Sequence, residues 1–319
     1  MKKLTFILIS CLVATGAMAQ APEMAKAIVH YKFTHVRDTT AKDKPYTENM
    51  VLFLGQSASV YKSFDRKTQE AMMRKQMEQQ MAEQKASGGP MNFKVTGSKA
   101  VTRFEIFQFP AANKLMRRES LITPYLIEEP MPAIQWKISA DTATFGTLLC
   151  QKATAHFKGR DYTAWFCPDL PFRAGPWKLN GLPGLIVEAY DTNKEVEFKF
   201  DGMEQVVAAE KPAVVAAEAP LSPGTTVVRF GGAEEANTDP NLIAVPANAV
   251  KTTEKEFDRL QTAMRKDPQA FMAAMGGNMG GRAGGVVSGV AVQRTTVSVN
   301  NIGGGPAAIN NPLELPEKK

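Results

Sequence analysis

Apolar and polar residues alternate along most of this chain with the two-residue period of half-buried strands. Ala27 to Val36 places Val29, Tyr31 and Phe33 on one face, with His30, Lys32 and Thr34 on the other. Asn49 to Leu54 and Ser57 to Ser63 follow as two strands joined across Gly55-Gln56. Further strands are predicted at Val101–Phe109, Lys114–Glu119, Leu121–Glu128, Trp136–Ile138, Leu148–Phe157, Arg160–Cys167, Leu185–Tyr190 and Glu195–Phe200. Their short spacing and frequent turn residues predict a mainly β protein with minor α: a curved antiparallel sheet or half-barrel meander with peripheral helices.

The period breaks at Lys67 to Lys85, a Met, Gln and Glu-rich run of strong helix formers that predicts a solvated helical insert over 67–90. Met72, Met73, Met77 and Met81 do not line up as one stripe. Thioethers select Cu(I), but methionine also simply fills space. Thr253-x-x-Glu256 is a capping box that opens a second helix to Arg265, and Asp267-Pro268 starts a third. Phe257, Leu260, Met264, Phe271 and Met275 are then placed to cover a sheet edge.

The organisation that follows is a leader at 1–19, a β domain at 20–207, a C-terminal extension with linker and short helices at 208–275, and a Gly-rich flexible tail at 276–319. The tail has room for one hairpin around VVSGVAVQRTTVSV, and Thr225 to Phe230 for one more strand.

The leader combines basic Lys2 and Lys3, an apolar Leu4 to Val13 and the small-x-small site Ala17-Met18-Ala19, the pattern of a cleaved export signal. A competing lipidation box ends at Cys11, but it would cut the apolar stretch in half. No later segment is long and apolar enough for a spanning helix, so no transmembrane segment is expected in the mature chain. The expected location is the periplasm, the outer-membrane periphery or the exterior.

The 38 Lys and Arg, less the two in the leader, leave 36 against 32 Asp and Glu, a net +4 scattered over the sequence. Nucleic-acid binding needs a basic stripe, and none is present. Three histidines and no paired CxxC or HxxxH motif supply no metal shell, and no cofactor is expected.

Two cysteines, Cys150 and Cys167, remain after processing. With Lys158-Gly159 as a two-residue turn, Phe157 pairs with Arg160, and opposed residue numbers sum to 157 + 160 = 317. Cys150 and Cys167 give the same sum and fall seven steps out, at a non-hydrogen-bonded pair. Cα atoms there approach to about 4.5 Å, within disulfide reach. The same register segregates Ala153, Ala155, Phe157, Tyr162, Ala164 and Phe166 from Lys152, Thr154, His156, Asp161, Thr163 and Trp165. Reduced thiols or a metal half-site are the alternatives to a disulfide. His156 opposite Asp161, near Thr154 and Thr163, invites an acid-base reading, but cross-strand polar pairs are common and no nucleophile elbow accompanies it.

From Trp136 to Asp191 the chain carries Cys150-Gln151-Lys152-Ala153, Gly159-Arg160, Ala164-Trp165-Phe166, Gly175-Pro176-Trp177-Lys178 and Gly181-Leu182-Pro183-Gly184-Leu185-Ile186. In order and spacing these motifs resemble the GLPGLI family, secreted proteins of Bacteroidota. Glu128-Glu129 and Asn311-Pro312-Leu313-Glu314-Leu315 are similar to its flanking signatures. The resemblance implies a compartment and no activity, because the family has none established.

Physically, Gly181 and Gly184 permit positive φ or close backbone approach, Pro183 stiffens the bend, and Leu185 to Val187 enter a buried strand. No helix N-terminus, Lys or Ser/Thr follows Gly184, so a phosphate loop is excluded.

Three functions remain open at this level. A ligand-binding or carrier-like half-barrel would hold a hydrophobic small molecule, with Trp136, Trp165 and Trp177 at the rim. An accessory role would bind an envelope protein through the inserts. A carboxylate hydrolase would use acids such as Glu129 and Glu188.

Overall fold

The computed structural model describes residues 21–87, 100–121, 123–206, 239–271, 274 and 309–317. The leader, the strand expected at 225–230, the linker that follows 207, Met275 and the tail hairpin lie outside the described residues.

The strands are β1 (Glu23–Met24), β2 (Ala27–His35), β3 (Tyr46–Leu54) and β4 (Ser59–Ser63), followed by helix α1 (Phe64–Ser87). Then come β5 (Glu105–Phe109), β6 (Lys114–Ser120), β7 (Pro124–Pro130), β8 (Lys137–Phe145), β9 (Leu148–Phe157), β10 (Arg160–Cys167), β11 (Leu185–Asp191) and β12 (Val196–Gln205). The described chain ends with β13 (Leu242–Ile243), β14 (Val250–Thr252), helix α2 (Glu254–Lys266) and an irregular, bent segment, 309–317.

Twelve strands make one open sheet in the order β14-β7-β6-β5-β4-β3-β2-β12-β11-β10-β9-β8, while β1 and β13 pair separately. Every pairing in the large sheet is antiparallel except β14 with β7. The protein is mainly β, and its sheet is not closed.

Alternation decides which face each side chain covers. Val29, Tyr31, Leu52, Tyr61, Ile106, Leu115, Tyr162, Ala164 and Phe198, from seven strands, share one buried cluster. The connector between β10 and β11 folds into that cluster, contributing Ala174, Trp177, Leu179 and Leu182. Intervening residues such as Ile28, Val51, Phe53, Val60, Phe107 and Met116 form a second cluster, which Ala25 and Ile243 help to cover. Both faces of β3, β4 and β5 are therefore mostly dry, and the face of the first cluster is filled by the chain itself.

The β9–β10 hairpin has Arg160 opposite Phe157, Asp161 opposite His156 and Phe166 opposite Gln151. Lys158 (φ 51°) and Gly159 (φ 71°) are both left-handed, the two-residue turn whose twist matches a hairpin.

The β3–β4 connection differs from the two-residue turn expected at Gly55-Gln56, because Leu54 pairs with Ser59 and leaves a four-residue loop. The Glu23 carboxylate accepts hydrogen bonds from the backbone N–H groups of Gln56, Ser57 and Ala58, and so pays for the longer turn.

Helix α2 is capped by Thr253, whose side chain accepts from the Glu256 N–H. Its buried Phe257 meets the Tyr125 ring edge-on, with Leu260 packed alongside, so α2 packs on β7 near the β14 end of the sheet. Replacing Thr253 with Ala should cost about 1 kcal/mol in chemical denaturation.

Candidate functional site

The three tryptophans do not form a rim. Trp177 is 3% exposed in the core, stacked on Phe198 with centroids 6.4 Å apart. Trp136 is half-buried and donates from its ring nitrogen to the Asn180 carbonyl at 2.7 Å. Trp165 packs on Phe145, on the face opposite Ala164 and Phe166. A carrier with aromatics around an empty concavity is corrected on this point: the connector's own Trp177, Leu179 and Leu182 occupy that space.

In the GLPGLI turn, Gly181 has φ +91°. Gly184 lies so close to the preceding chain that a Cβ there would sit 2.2 Å from the Cys167 carbonyl oxygen. Leu182 is buried, and Leu185 and Ile186 enter β11 fully buried, so the motif seats the connector and starts a core strand.

Cys150 and Cys167 are both buried free thiols, and no disulfide joins them in this structure. They lie one step beyond the last β9–β10 ladder pair, Gln151 with Phe166. Burial pushes the Cys150 thiol up to about 12, helped by the neighbouring Cys167, which keeps it protonated at neutral pH.

Glu129 and Glu188 are not brought together. Glu129 is on β7 and engages Lys178, whereas Glu188 on β11 faces the Phe200 N–H at 3.4 Å. The carboxylate-pair reading loses its geometry.

His156 does meet Asp161, Nδ1 to Oδ1 at 2.6 Å, but its other nitrogen reaches Glu317 at 2.8 Å, on an exposed surface. Neither Thr154 nor Thr163 is its partner. The arrangement pins the end of the chain.

The residues that converge come instead from four distant parts of the sequence. Lys178, 5% exposed and one residue past Trp177, puts its Nζ 2.9 Å from Glu129 Oε2 and 2.9 Å from Glu314 Oε1. Lys158, at the hairpin turn, reaches the other oxygen of Glu314 at 2.9 Å. Arg117 on β6 pairs with Glu119 at 2.7 Å and with Glu254 at the start of α2, and lies 3.9 Å from Glu129. The lysines hold the Glu314 carboxyl below its usual range against the opposing effect of burial. All of these groups except Glu119 line a cleft of about 460 Å³, with Phe104, Ile106, Trp177 and Leu313 as its apolar walls.

Beside the cleft, Arg160 grips the same C-terminal segment. Its guanidinium donates to Asp191 at 2.6 Å, to the Asn311 side chain at 2.6 Å, and to the carbonyls of Pro312 and Leu313 at 2.7 and 3.0 Å. Asp191 also accepts from the backbone N–H groups of Glu195 and Val196. The Asn311 amide donates to the Val36 carbonyl at 2.8 Å and to Glu195 at 3.0 Å. Arg160, Asp191 and Asn311 are all buried, so the charge pair is used where its donors and acceptors are nearly all filled.

His35 completes this clasp, with Nε2 2.8 Å from the Asn311 carbonyl. Burial, more than the nearby Arg37 and Arg160, lowers its pKa to about 4. The unfolded chain takes up a proton near pH 6.5 that the folded chain refuses. His35 therefore contributes stability that is full above pH 6.5 and is lost as pH falls toward 4, by about 3 kcal/mol. Denaturant midpoints between pH 7.5 and 4.5 should show this loss, and His35→Gln should flatten it. His156 has the opposite sign: Asp161, then Glu317, raise its pKa, so its hold on the chain end weakens as pH rises through that value.

Of these residues Arg117 stands in no motif, Lys158 is placed only as a turn residue, and Arg160 and Lys178 stand within Gly159-Arg160 and Gly175-Pro176-Trp177-Lys178 without a site role. The available signal was their position: lysine between Trp177 and Leu179 in an apolar run, and arginine directly after a tight turn.

Comparison with known families adds a name over a short stretch. Residues 157–188 match a family described as protein of unknown function (Porph_ging). No curated protein matches the chain. Two solved structures of PNGF-II, in C2 and P21 space groups, match with TM-scores of 0.43 and 0.46 at 8% identity, covering 73% and 74% of this chain. The chain spans about a third of the length of those structures, with 32% of each covered.

Proposed function

We propose that this is an exported ligand-binding protein of the GLPGLI type, and that its ligand seat is the charged cleft rather than the concave apolar face. The carrying observation is Lys178, held 2.9 Å from both Glu129 and Glu314 on the wall of a cleft of about 460 Å³. That volume suits a small molecule, and a few convergent charges over apolar walls are how such sites fix orientation. With both signs of charge present, the matching ligand is small, polar and itself charged.

Thermal-shift screening of amino acids, short peptides and other small charged compounds should return stabilising ligands whose effect is lost in Glu129→Gln. Fatty acids should give none. Stoichiometric fatty acid retained in native mass spectrometry would overturn the proposal.

The export reading rests on the leader and carries a redox consequence. In an envelope that supplies a disulfide oxidoreductase as electron acceptor, the adjacent Cys150 and Cys167 thiols would give up two protons and two electrons and join as a disulfide. Protein purified from the envelope should be lighter by two hydrogens and resist alkylation until reduced. Free alkylation of both cysteines after unfolding without reductant would refute it.

A further inference from the structure

The C-terminal segment is held as a peptide is held in a groove. The Asn310 and Asn311 N–H groups both donate to the Arg37 carbonyl at 3.1 Å, and the Leu315 N–H donates to the Lys158 carbonyl at 3.0 Å. Arg160 reads the Asn311 side chain and two carbonyls, Lys158 and Lys178 read Glu314, and His156 with the Gly159 N–H reads Glu317. Main-chain hydrogen bonds supply affinity here, and alternate side chains supply specificity. None of these contacts needs the segment's covalent link to the rest of its own chain.

Between Phe271, buried against the fold, and Asn310, the sequence runs 38 residues. Fully extended, that length spans up to about 130 Å, well beyond one domain of this size.

We infer that the groove accepts the 309–317 segment of a second copy. Two chains then exchange segments reciprocally, and each cleft takes its Leu313 and Glu314 from its partner. The contacts made across the exchange are the same as those within one chain, so concentration and the entropy of the connection decide the balance. This holds whether or not the cleft binds a ligand.

Leu315 and Lys158 are joined by a backbone hydrogen bond, which makes them a crosslinking pair. A chain carrying Lys158→Cys and one tag is mixed at high concentration with a chain carrying Leu315→Cys and another tag, then oxidised. Met72→Cys on the exposed helix α1 replaces Lys158→Cys as the background control.

Heterodimers several-fold above that background are expected. The inference is overturned if the mixed chains give only background while both substitutions in one chain close an internal disulfide. It is also overturned if the unsubstituted protein shows no dimer by light scattering after the same incubation, whatever the cysteines do.

Discussion

Replacing Arg160 with Met should lower unfolding free energy by about 3 to 5 kcal/mol, the cost of breaking a buried ion pair from one side. The substitution leaves Asp191 (3% exposed) with a charge answered only by the backbone N–H groups of Glu195 and Val196. It also strips the donors from the Asn311 side chain and from the Pro312 and Leu313 carbonyls. Urea denaturation followed by tryptophan fluorescence measures the loss. An effect below about 1 kcal/mol, the range of exposed pairs, would mean that the clasp is solvated in solution.

The second large effect is expected at Gly184. A Cβ there would meet the Cys167 carbonyl oxygen at 2.2 Å, the Cys167 carbonyl carbon at 2.7 Å and the Pro168 Cα at 2.9 Å, all backbone atoms without rotamers to move. Gly184→Ala must shift the connector against β10, at a cost of about 3 kcal/mol. Gly181→Ala is the matched comparison. Its φ of +91° disfavours any side chain, but the nearest atoms are in the Trp136 ring at 3.8 Å, so only backbone strain of about 1 to 2 kcal/mol is expected. Equal effects at the two glycines would contradict the packing argument.

The architecture was legible wherever alternation and turn chemistry agreed. The β9–β10 hairpin shows why: Lys158-Gly159 sets the register, and apolar residues fall on one face only in that register. Helix α2 was legible from its capping box.

Other features depended on contacts distant in sequence. The four-residue loop after β3 exists because Glu23, more than thirty positions earlier, satisfies its N–H groups. Strand β8 runs to Phe145, far past Ile138, but its residues are mostly exposed and carry no hydrophobic signal. Trp177 read as a surface aromatic because its burial depends on the connector turning inward onto Phe198.

The candidate site was legible only in pieces. Glu129, Lys178 and Glu314 lie in three separate motif segments, and nothing local indicates that they meet. Much of the motif chemistry turns out to hold the chain together. Gly184 admits the connector, Arg160 and Asn311 fasten the C-terminal segment, and Glu314 joins that segment to the cleft wall. Recognition of the motifs thus supplied several residues of the cleft without showing that they meet.

Amide hydrogen exchange at Asn311 and Leu315 tests most directly whether these residues fasten the segment that completes the cleft. Both N–H groups donate to backbone carbonyls, Arg37 and Lys158 respectively, so slow exchange is predicted in the unsubstituted protein. In Arg160→Met both should accelerate together, while the β9–β10 amides stay protected relative to them. Exchange at the unprotected rate in the unsubstituted protein would show that the segment is not fastened, and the cleft would lose one of its walls.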